Sequence, residues 1–404
     1  MRVRLLELQA EIDSILAGEV IGRAAPEPNL RGWAALLPLE PHGLLEGLGQ
    51  TGIQVLRGAR GALALGSLSQ LWGAGRSLAD ALEKQQGRSL AVELMLRAAA
   101  LESVGGKPGL GPSAGRMGDH QPPGWVLPRR ALPSGRTLIM GVVNVTPDSF
   151  SDGGRFVEPA QAVEHGLQLA GEGADMLDVG GESTNPFGAL PVSAAEERRR
   201  VEPVVRMLAR QSGLPVSVDT TKSEVAAAAL DAGAEIVNDV SGLSRDPAMA
   251  RLIADRGCAL VLMHMRGTPE DMQTRAVYKD LLGEVISELD AALARAREAG
   301  IPEDHICIDP GLGFAKEAQH NYTLLRRQRE LLQLGRPLMV GPSRKSFIGK
   351  ATGRGPGERL HGTLAAVALA AFNGAAIVRV HEVASVHDAL AVADAARSDG
   401  AGLG

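Results

Sequence analysis

The chain has 404 residues, 45% of them hydrophobic and 22% charged, with 42 Lys and Arg against 47 Asp and Glu for a formal net charge of −5. That is the balance of a soluble globular protein with material for a large core, and it excludes disorder over the whole chain. A mildly acidic chain also argues against a nucleic-acid binder, whose phosphate affinity comes from clustered Lys and Arg.

At the N-terminus, Met1-Arg-Val-Arg runs into Glu7 and Glu11 before any long apolar stretch, so no signal peptide is expected. The longest uncharged Ala-rich run, around Thr363 to Phe372, is far shorter than the roughly 20 residues of a membrane span. A cytoplasmic protein without membrane contact is expected. Its two cysteines, Cys258 and Cys307, fall in apolar runs and read as buried core residues of a reducing compartment, with no disulfide and no thiolate metal site.

Residues 1–103 read as an accessory region, helical or α+β, without a catalytic role. Its more patterned parts are Val3 to Leu16 and Ser77 to Leu101, the second with helical spacing in Leu82, Leu90, Val92, Leu96 and Ala100. Residues 104–136 carry Gly105-Gly-Lys-Pro-Gly109 and Gln121-Pro-Pro-Gly124, the composition of a turn-rich linker.

Over residues 137–398, short apolar runs alternate with helix-like stretches. The runs are Leu138–Val143, Asp175–Val179, Pro215–Val218, Glu235–Val237, Cys258–Met263, His305–Ile308, Pro337–Val340 and Ala376–Val380. Most are nearly continuous in Val, Ile, Leu and Met, as parallel strands buried on both faces are. The helical stretches are Ala160–Leu169, Ala194–Ala209, Ser223–Ala232, Ala248–Asp255, Asp280–Ala299, Asn321–Leu332, Glu358–Asn373 and Val386–Ala396. Gly171, Gly233, Gly257, Gly300, Gly335 and Gly374 follow several of them as helix stops. An open doubly wound sheet alternates in the same way, but eight strands with polar groups after nearly every one fit a (β/α)8 TIM barrel better.

The polar endings are the candidate site, because in such a barrel the loops after the strands surround one cleft. Asp219, Asn238 and Asp309 close three runs and Lys345 lies shortly after a fourth. Two carboxylates, an amide and a cation can together recognise the edge of a flat, nitrogen-rich heterocycle. Each Asp or Asn alone would read as a helix cap; their convergence with Lys345 favours a site. Asn144 opens a long polar loop through Asp148, Ser149, Ser151 and Asp152 to Gly153-Gly154, suited to closing over a barrel mouth. Arg379 and His381 alternate along the last run and face one side, with Arg suited to a phosphate leaving group.

These segments resemble dihydropteroate synthases. The resemblance is carried by Asn144 to Gly154, Gly180-Gly-Glu-Ser-Thr184, Ser217-Val-Asp-Thr220, Ile236-Val-Asn-Asp239, Leu262-Met-His-Met265, Asp309-Pro-Gly-Leu-Gly-Phe314, Ser343-Arg-Lys-Ser346 and Arg379-Val-His381, in that order. It implies transfer of the (7,8-dihydropterin-6-yl)methyl group from its diphosphate ester to 4-aminobenzoate, forming 7,8-dihydropteroate and pyrophosphate. By resemblance, Asp219, Asn238, Asp309 and Lys345 hold the pterin edge, and Met263 and Phe314 cover its ring. Asn144, Arg379 and His381 hold pyrophosphate, with Asn144 reaching Mg²⁺. Phe150, Asp152, Thr184 and Ser346 shape the 4-aminobenzoate pocket. One position departs: the family usually has Arg after Gly-Glu-Ser-Thr, and this chain has Asn185. Two other readings remain at this stage, a pterin-binding methyltransferase domain and a non-catalytic pterin-binding scaffold. The Ala-rich helix from Leu360 to Phe372 could pack against a second copy in a homodimer.

Overall fold

The computed structural model describes residues 4–8, 32–37, 53–57, 62–66, 68–81, 125–133, 135–145, 159–183 and 191–397, together with positions 45, 48, 50, 94, 97 and 98. The chain divides into two compact units, Met1–Pro122 with Arg329–Gly335, and Pro123–Gln328 with Arg336–Gly404. In the first, β1 (Arg4–Leu8), β2 (Gly32–Leu37), β3 (Gln54–Arg57) and β4 (Ala62–Gly66) form an antiparallel sheet of order β1-β2-β4-β3, followed by α1 (Leu68–Ala81).

The second unit holds eight parallel strands: β5 (Leu138–Asn144), β6 (Met176–Gly180), β7 (Val216–Asp219), β8 (Ile236–Asp239), β9 (Ala259–Met263), β10 (Ile306–Asp309), β11 (Met339–Val340) and β12 (Ile377–Val380). Their order is β10-β9-β8-β7-β6-β5-β12-β11. A parallel bridge between Ile308 and Leu338, with Ile308 N–H donating to the Pro337 carbonyl at 2.9 Å, joins the two ends into a barrel. The helices are α2 (Pro159–Gly171), α3 (Ala194–Gln211), α4 (Ser223–Ala232), α5 (Met249–Arg256), α6 (Leu281–Glu298), α7 (Ala318–Arg327), α8 (Ser346–Thr352), α9 (Leu360–Phe372) and α10 (Val383–Arg397). The architecture is the expected (β/α)8 barrel. Among the described residues, no helix is long and apolar enough to cross a membrane.

Three expectations change in detail. The strand bounds extend past the last apolar residue of each run, and Asp219, Asn238 and Asp309, expected at the strand ends, are paired residues of the strands themselves. A polar side chain facing the lumen leaves its backbone free to stay in the ladder. The stretch Asn321–Leu332 is not one helix, because α7 ends at Arg327 and a tighter 3₁₀ segment, Gln328–Leu334, follows. Gly171 is still helical, and the left-handed turn falls at Gly173, with φ 99°.

The floor of the barrel corrects the linker. Trp125 and Leu127 are buried against Leu138, Met140, Met176, Ile236, Cys307 and Ile377 in a single apolar cluster. The Trp125 indole N–H donates to the His305 carbonyl at 2.9 Å, and Val126 N–H to the Asp304 carbonyl at 2.8 Å. The segment 125–127 therefore belongs to the barrel core, although the surrounding Gly and Pro mark it as linker. Both cysteines are free and buried, and burial pushes the Cys258 thiol up to about 12.

Candidate active site at the barrel mouth

Side chains two apart on a strand share a face. Met176, Ile236, Val261, Cys307 and Ile377 lie in the apolar floor cluster. Two residues further along the same strands stand Asp178, Asn238, Met263, Asp309 and Arg379. These therefore project into the same lumen one layer higher, at the C-terminal mouth, where barrel sites are built.

Their contacts reach past neighbouring strands inside the lumen. Arg379 on β12 donates from Nε to Asp178 Oδ2 on β6 at 2.6 Å, and from Nη2 to Asp219 Oδ2 on β7 at 2.9 Å. Asn238 on β8 donates from Nδ2 to Asp178 Oδ2 at 3.0 Å. Three buried polar atoms in this layer have no partner: Asp178 Oδ1, Ser217 Oγ and Asn238 Oδ1. Unpaired buried acceptors are costly, so their accumulation at one end of a lumen marks a place built for a ligand that donates.

Burial raises the carboxyl groups. Asp219 is pushed up to about 7, mostly by desolvation, with Arg379 opposing and Asp178 adding to the rise. Asp309 is pushed up to about 6 by burial, held from going higher by the Gly311 N–H, which donates to it at 2.7 Å, and by Lys345. Lys345 falls to about 8, through burial and then the neighbouring Arg379.

The Asp309-Pro-Gly-Leu-Gly-Phe314 segment needs its glycines. Gly311 has φ 68°, and a Cβ there would stand 2.1 Å from the His264 carbonyl oxygen. At Gly313, with φ 81°, a Cβ would come within 3.0 Å of Lys345 Cδ. That space lets the Lys345 ammonium lie 4.2 Å from the centre of the Phe314 ring. Lys345 precedes the first turn of α8 and follows Arg344, whose φ of 59° is a strained value for a side-chain-bearing residue. Phe314 joins Met263, Val240 and Met272 in an apolar wall.

On the last strand's side, His381 Nδ1 lies 2.9 Å from Ser343 Oγ, which in turn lies 3.2 Å from Glu382 Oε2. Burial first, then the nearby Arg344, Arg379 and Lys345, lower His381 to about 3, so its ring is neutral. Asn144 ends β5. A Cβ placed on Gly180 would stand 3.8 Å from Asp219 Oδ2 and 3.9 Å from Asn144 Oδ1, so both oxygens lie beside the Gly180 Cα. Among the described residues, no three His, Cys, Asp or Glu side chains converge as a metal cage.

Of the site residues expected from sequence, Asn144, Asp219, Asn238, Met263, Asp309, Phe314, Lys345 and Arg379 lie around the strand ends and the loops following them. Ser346 is the first residue of α8 and exposed. Phe150, Asp152 and Thr184, with Asn185, lie outside the described residues. Arg379 pairs with Asp219, one of the carboxylates assigned to the pterin edge, and with Asp178, a placement that the pyrophosphate role did not foresee. Sequence reasoning missed Asp178. Its signal was a lone acid inside the apolar run Met176-Leu-Asp-Val179.

A second buried network was also missed. Lys316 Nζ lies 3.0 Å from both His264 Nδ1 and the Phe314 carbonyl, and His264 Nε2 lies 3.0 Å from Glu288, which pairs with Arg266. Burial lowers Lys316 to about 7 and His264 to about 4, the latter with help from Lys316. Nothing local distinguishes Lys316 from a surface lysine in the sequence.

Comparison with known proteins agrees with this geometry. The family described as pterin binding enzyme matches residues 140–381. A dihydropteroate synthase from Mycobacterium leprae is 49% identical over 264 residues, covering 64% of this chain and 92% of that protein. One from Synechocystis is 44% identical over 282 residues, covering 69% of this chain and 97% of the relative. Among solved structures, a Xanthomonas albilineans dihydropteroate synthase with 4-aminobenzoic acid superposes with a TM-score of 0.61 at 48% identity, over 65% of this chain and 94% of that one. From residue 140 to residue 381, the chain belongs to the pterin-binding enzyme family, among its dihydropteroate synthases.

Proposed function

We propose that this transferase joins the dihydropterin methyl diphosphate ester to 4-aminobenzoate, and that the residues of the barrel mouth divide the work. The observation that carries the assignment is the ring of acceptors in the lumen, Asp219, Asn238 Oδ1 and Asp309, together with the neighbouring cation Lys345. A dihydropterin edge offers several N–H donors and a carbonyl acceptor, matching acceptors on one side and an ammonium on the other. Met263 and Phe314 supply the apolar surface for its ring.

In the reaction the bond between the methylene carbon and the ester oxygen breaks, a bond from the amine nitrogen to that carbon forms, and the nitrogen gives up a proton to the released pyrophosphate or to water. An aromatic amine is a weak nucleophile, so the gain lies in stabilising the departing anion and the electron-poor carbon. Arg379 and His381 serve the anion differently. Arg379 brings charge, part of it already balanced by Asp178 and Asp219. His381 is neutral; the Ser343 hydroxyl gives its proton to Glu382 Oε2, so the His381 Nδ1–H donates to Ser343 Oγ, which leaves Nε2 an acceptor for a protonated phosphate oxygen. Phe150, Asp152, Thr184 and Ser346 form the 4-aminobenzoate side.

Asn144 is the proposed ligand of Mg²⁺. Asn144 Oδ1 is a hard oxygen donor at the end of β5, and Mg²⁺ commonly takes only one or two protein ligands beside waters and phosphate oxygens. When bound there, the ion supplies positive charge to the pyrophosphate oxygens. Leu369 and Phe372, each 53% exposed on α9, support self-association as a homodimer.

The deciding experiment is an assay of the full chain for dihydropteroate from the two substrates with Mg²⁺. Pterin binding without product would instead make the protein a scaffold.

A further inference from the structure

We propose that Asp178 is a positioning residue: by holding one end of the Asn238 amide it fixes the other end as an acceptor, and so makes the site select heterocycles that carry an amino group. The inference rests on the pterin reading of the site and gives Asp178 a role through Asn238, separate from any contact its unpaired Oδ1 makes with a ligand.

Asp178 is fully buried at 0% exposure, two residues above Met176 in the floor cluster. Its Oδ2 receives two donors, Arg379 Nε at 2.6 Å and Asn238 Nδ2 at 3.0 Å. A carboxylate paired with a guanidinium can only accept, so the end of the amide turned toward it has to be the NH₂ group. This is a chemical reason for the amide orientation, independent of how nitrogen and oxygen are told apart. The consequence is that Asn238 Oδ1 faces the lumen, buried and without a partner. Asp219 and Asp309 present acceptors to the same lumen. With the amide turned round, an NH₂ group would face the ligand and welcome a carbonyl instead.

A neutral Asn at position 178 could donate to Asn238 Oδ1 and let the amide rotate. Arg379 would keep its bond to Asp219. The preference for an amino group over a carbonyl should then fall, although the site keeps its shape.

The test uses calorimetry on the full chain with 6-hydroxymethylpterin and the lumazine of the same shape, which has a carbonyl where the pterin has its amino group. Wild type should favour the pterin by at least about a hundredfold, since a site built to pair a donor rejects its replacement strongly. Asp178→Asn should reduce that ratio by about tenfold, the scale of one hydrogen bond in a buried site. Equal weakening of both ligands would make Asp178 a structural residue and overturn the proposal. Asn238→Ala gives an independent sign: the ratio falls if the amide presents oxygen and rises if it presents nitrogen, and a rise overturns the proposal even should Asp178→Asn fail to fold. In the Asn238→Ala background, adding Asp178→Asn should leave the ratio unchanged, and a further fall would mean that Asp178 does not act through Asn238. A wild-type chain that binds neither compound would instead overturn the pterin reading on which the proposal rests.

Discussion

The two ends of the barrel are built by the same strands and differ by a single two-residue step. At the floor, Met176, Ile236, Cys307 and Ile377 pack around Trp125 and Leu127. One step up stand Asp178, Asn238, Asp309 and Arg379, where three buried polar atoms lack partners. The floor gains stability from burying apolar surface; the mouth gives some up by burying charge and leaving acceptors unmet. Burial of charge alone is not the distinction. In the Lys316 network, His264 uses both ring nitrogens, and Lys316 bonds to His264 and to a carbonyl. That network reads as support for the Phe314 segment. Incomplete pairing separates a site that awaits a ligand from a scaffold that is already satisfied.

The contrast can be broken most strongly at the floor. Trp125→Ala should destabilise the protein by about 3–5 kcal/mol, measured by urea unfolding, with pterin affinity per folded molecule nearly unchanged. Removing residues 1–129 also removes Trp125 and Leu127 and should lose comparable stability relative to a chain starting at Pro123. Equal stability of the two truncations would show that the floor segment is dispensable.

At the mouth, Arg379→Ala leaves Asp178 buried without its counter-charge. A loss of about 3 kcal/mol is expected, the low end for breaking a buried pair, because the arginine side chain is 22% exposed. Unlike a residue serving only the leaving group, Arg379 should affect both ligands: binding of pyrophosphate and of pterin should weaken in calorimetry. Loss confined to pyrophosphate would mean that its contacts with Asp178 and Asp219 do not shape the pterin edge.

Asp219→Ala should weaken pterin binding by about 1.5–3 kcal/mol, the range for a hydrogen bond to a charged group, and nearly abolish turnover. Unchanged pterin affinity in the folded variant would remove Asp219 from the site.

The smallest effect is one of pH. The Asp219 carboxyl rises from 3.8 to about 7 in the folded protein. A raised acid favours the protonated native state, so its contribution is complete below the unfolded value and is lost as pH rises through the folded one. Wild type should therefore lose stability relative to Asp219→Asn between about pH 4 and pH 7, a difference that cancels the other titrating groups to first order. Pterin affinity should climb over the upper part of that window, as the acceptor becomes charged. A stability difference flat in pH would show that the surroundings of Asp219 do not raise its carboxyl.

Much of this was legible in order along the chain. The alternation of apolar runs and helices, with polar residues at the run ends, carries the barrel and the positions of Asp219, Asn238, Asp309 and Arg379, because both depend on spacing along one strand. Lys345 and Phe314 were readable from their motifs, but their contact was not, since it needs Gly313 to leave room. Asp178 looked like an ordinary residue of an apolar run, and Lys316 like a surface cation.

By itself the sequence determined which strand carries each functional side chain and which way successive residues face, since a period of two is local geometry. Tertiary structure alone decided that Trp125 closes the floor and that Arg379 reaches past β5 to Asp178. It also decided that Asn238 turns its oxygen to the ligand. Those outcomes depend on distances between strands far apart in the chain, and on which donor each buried acceptor finds there.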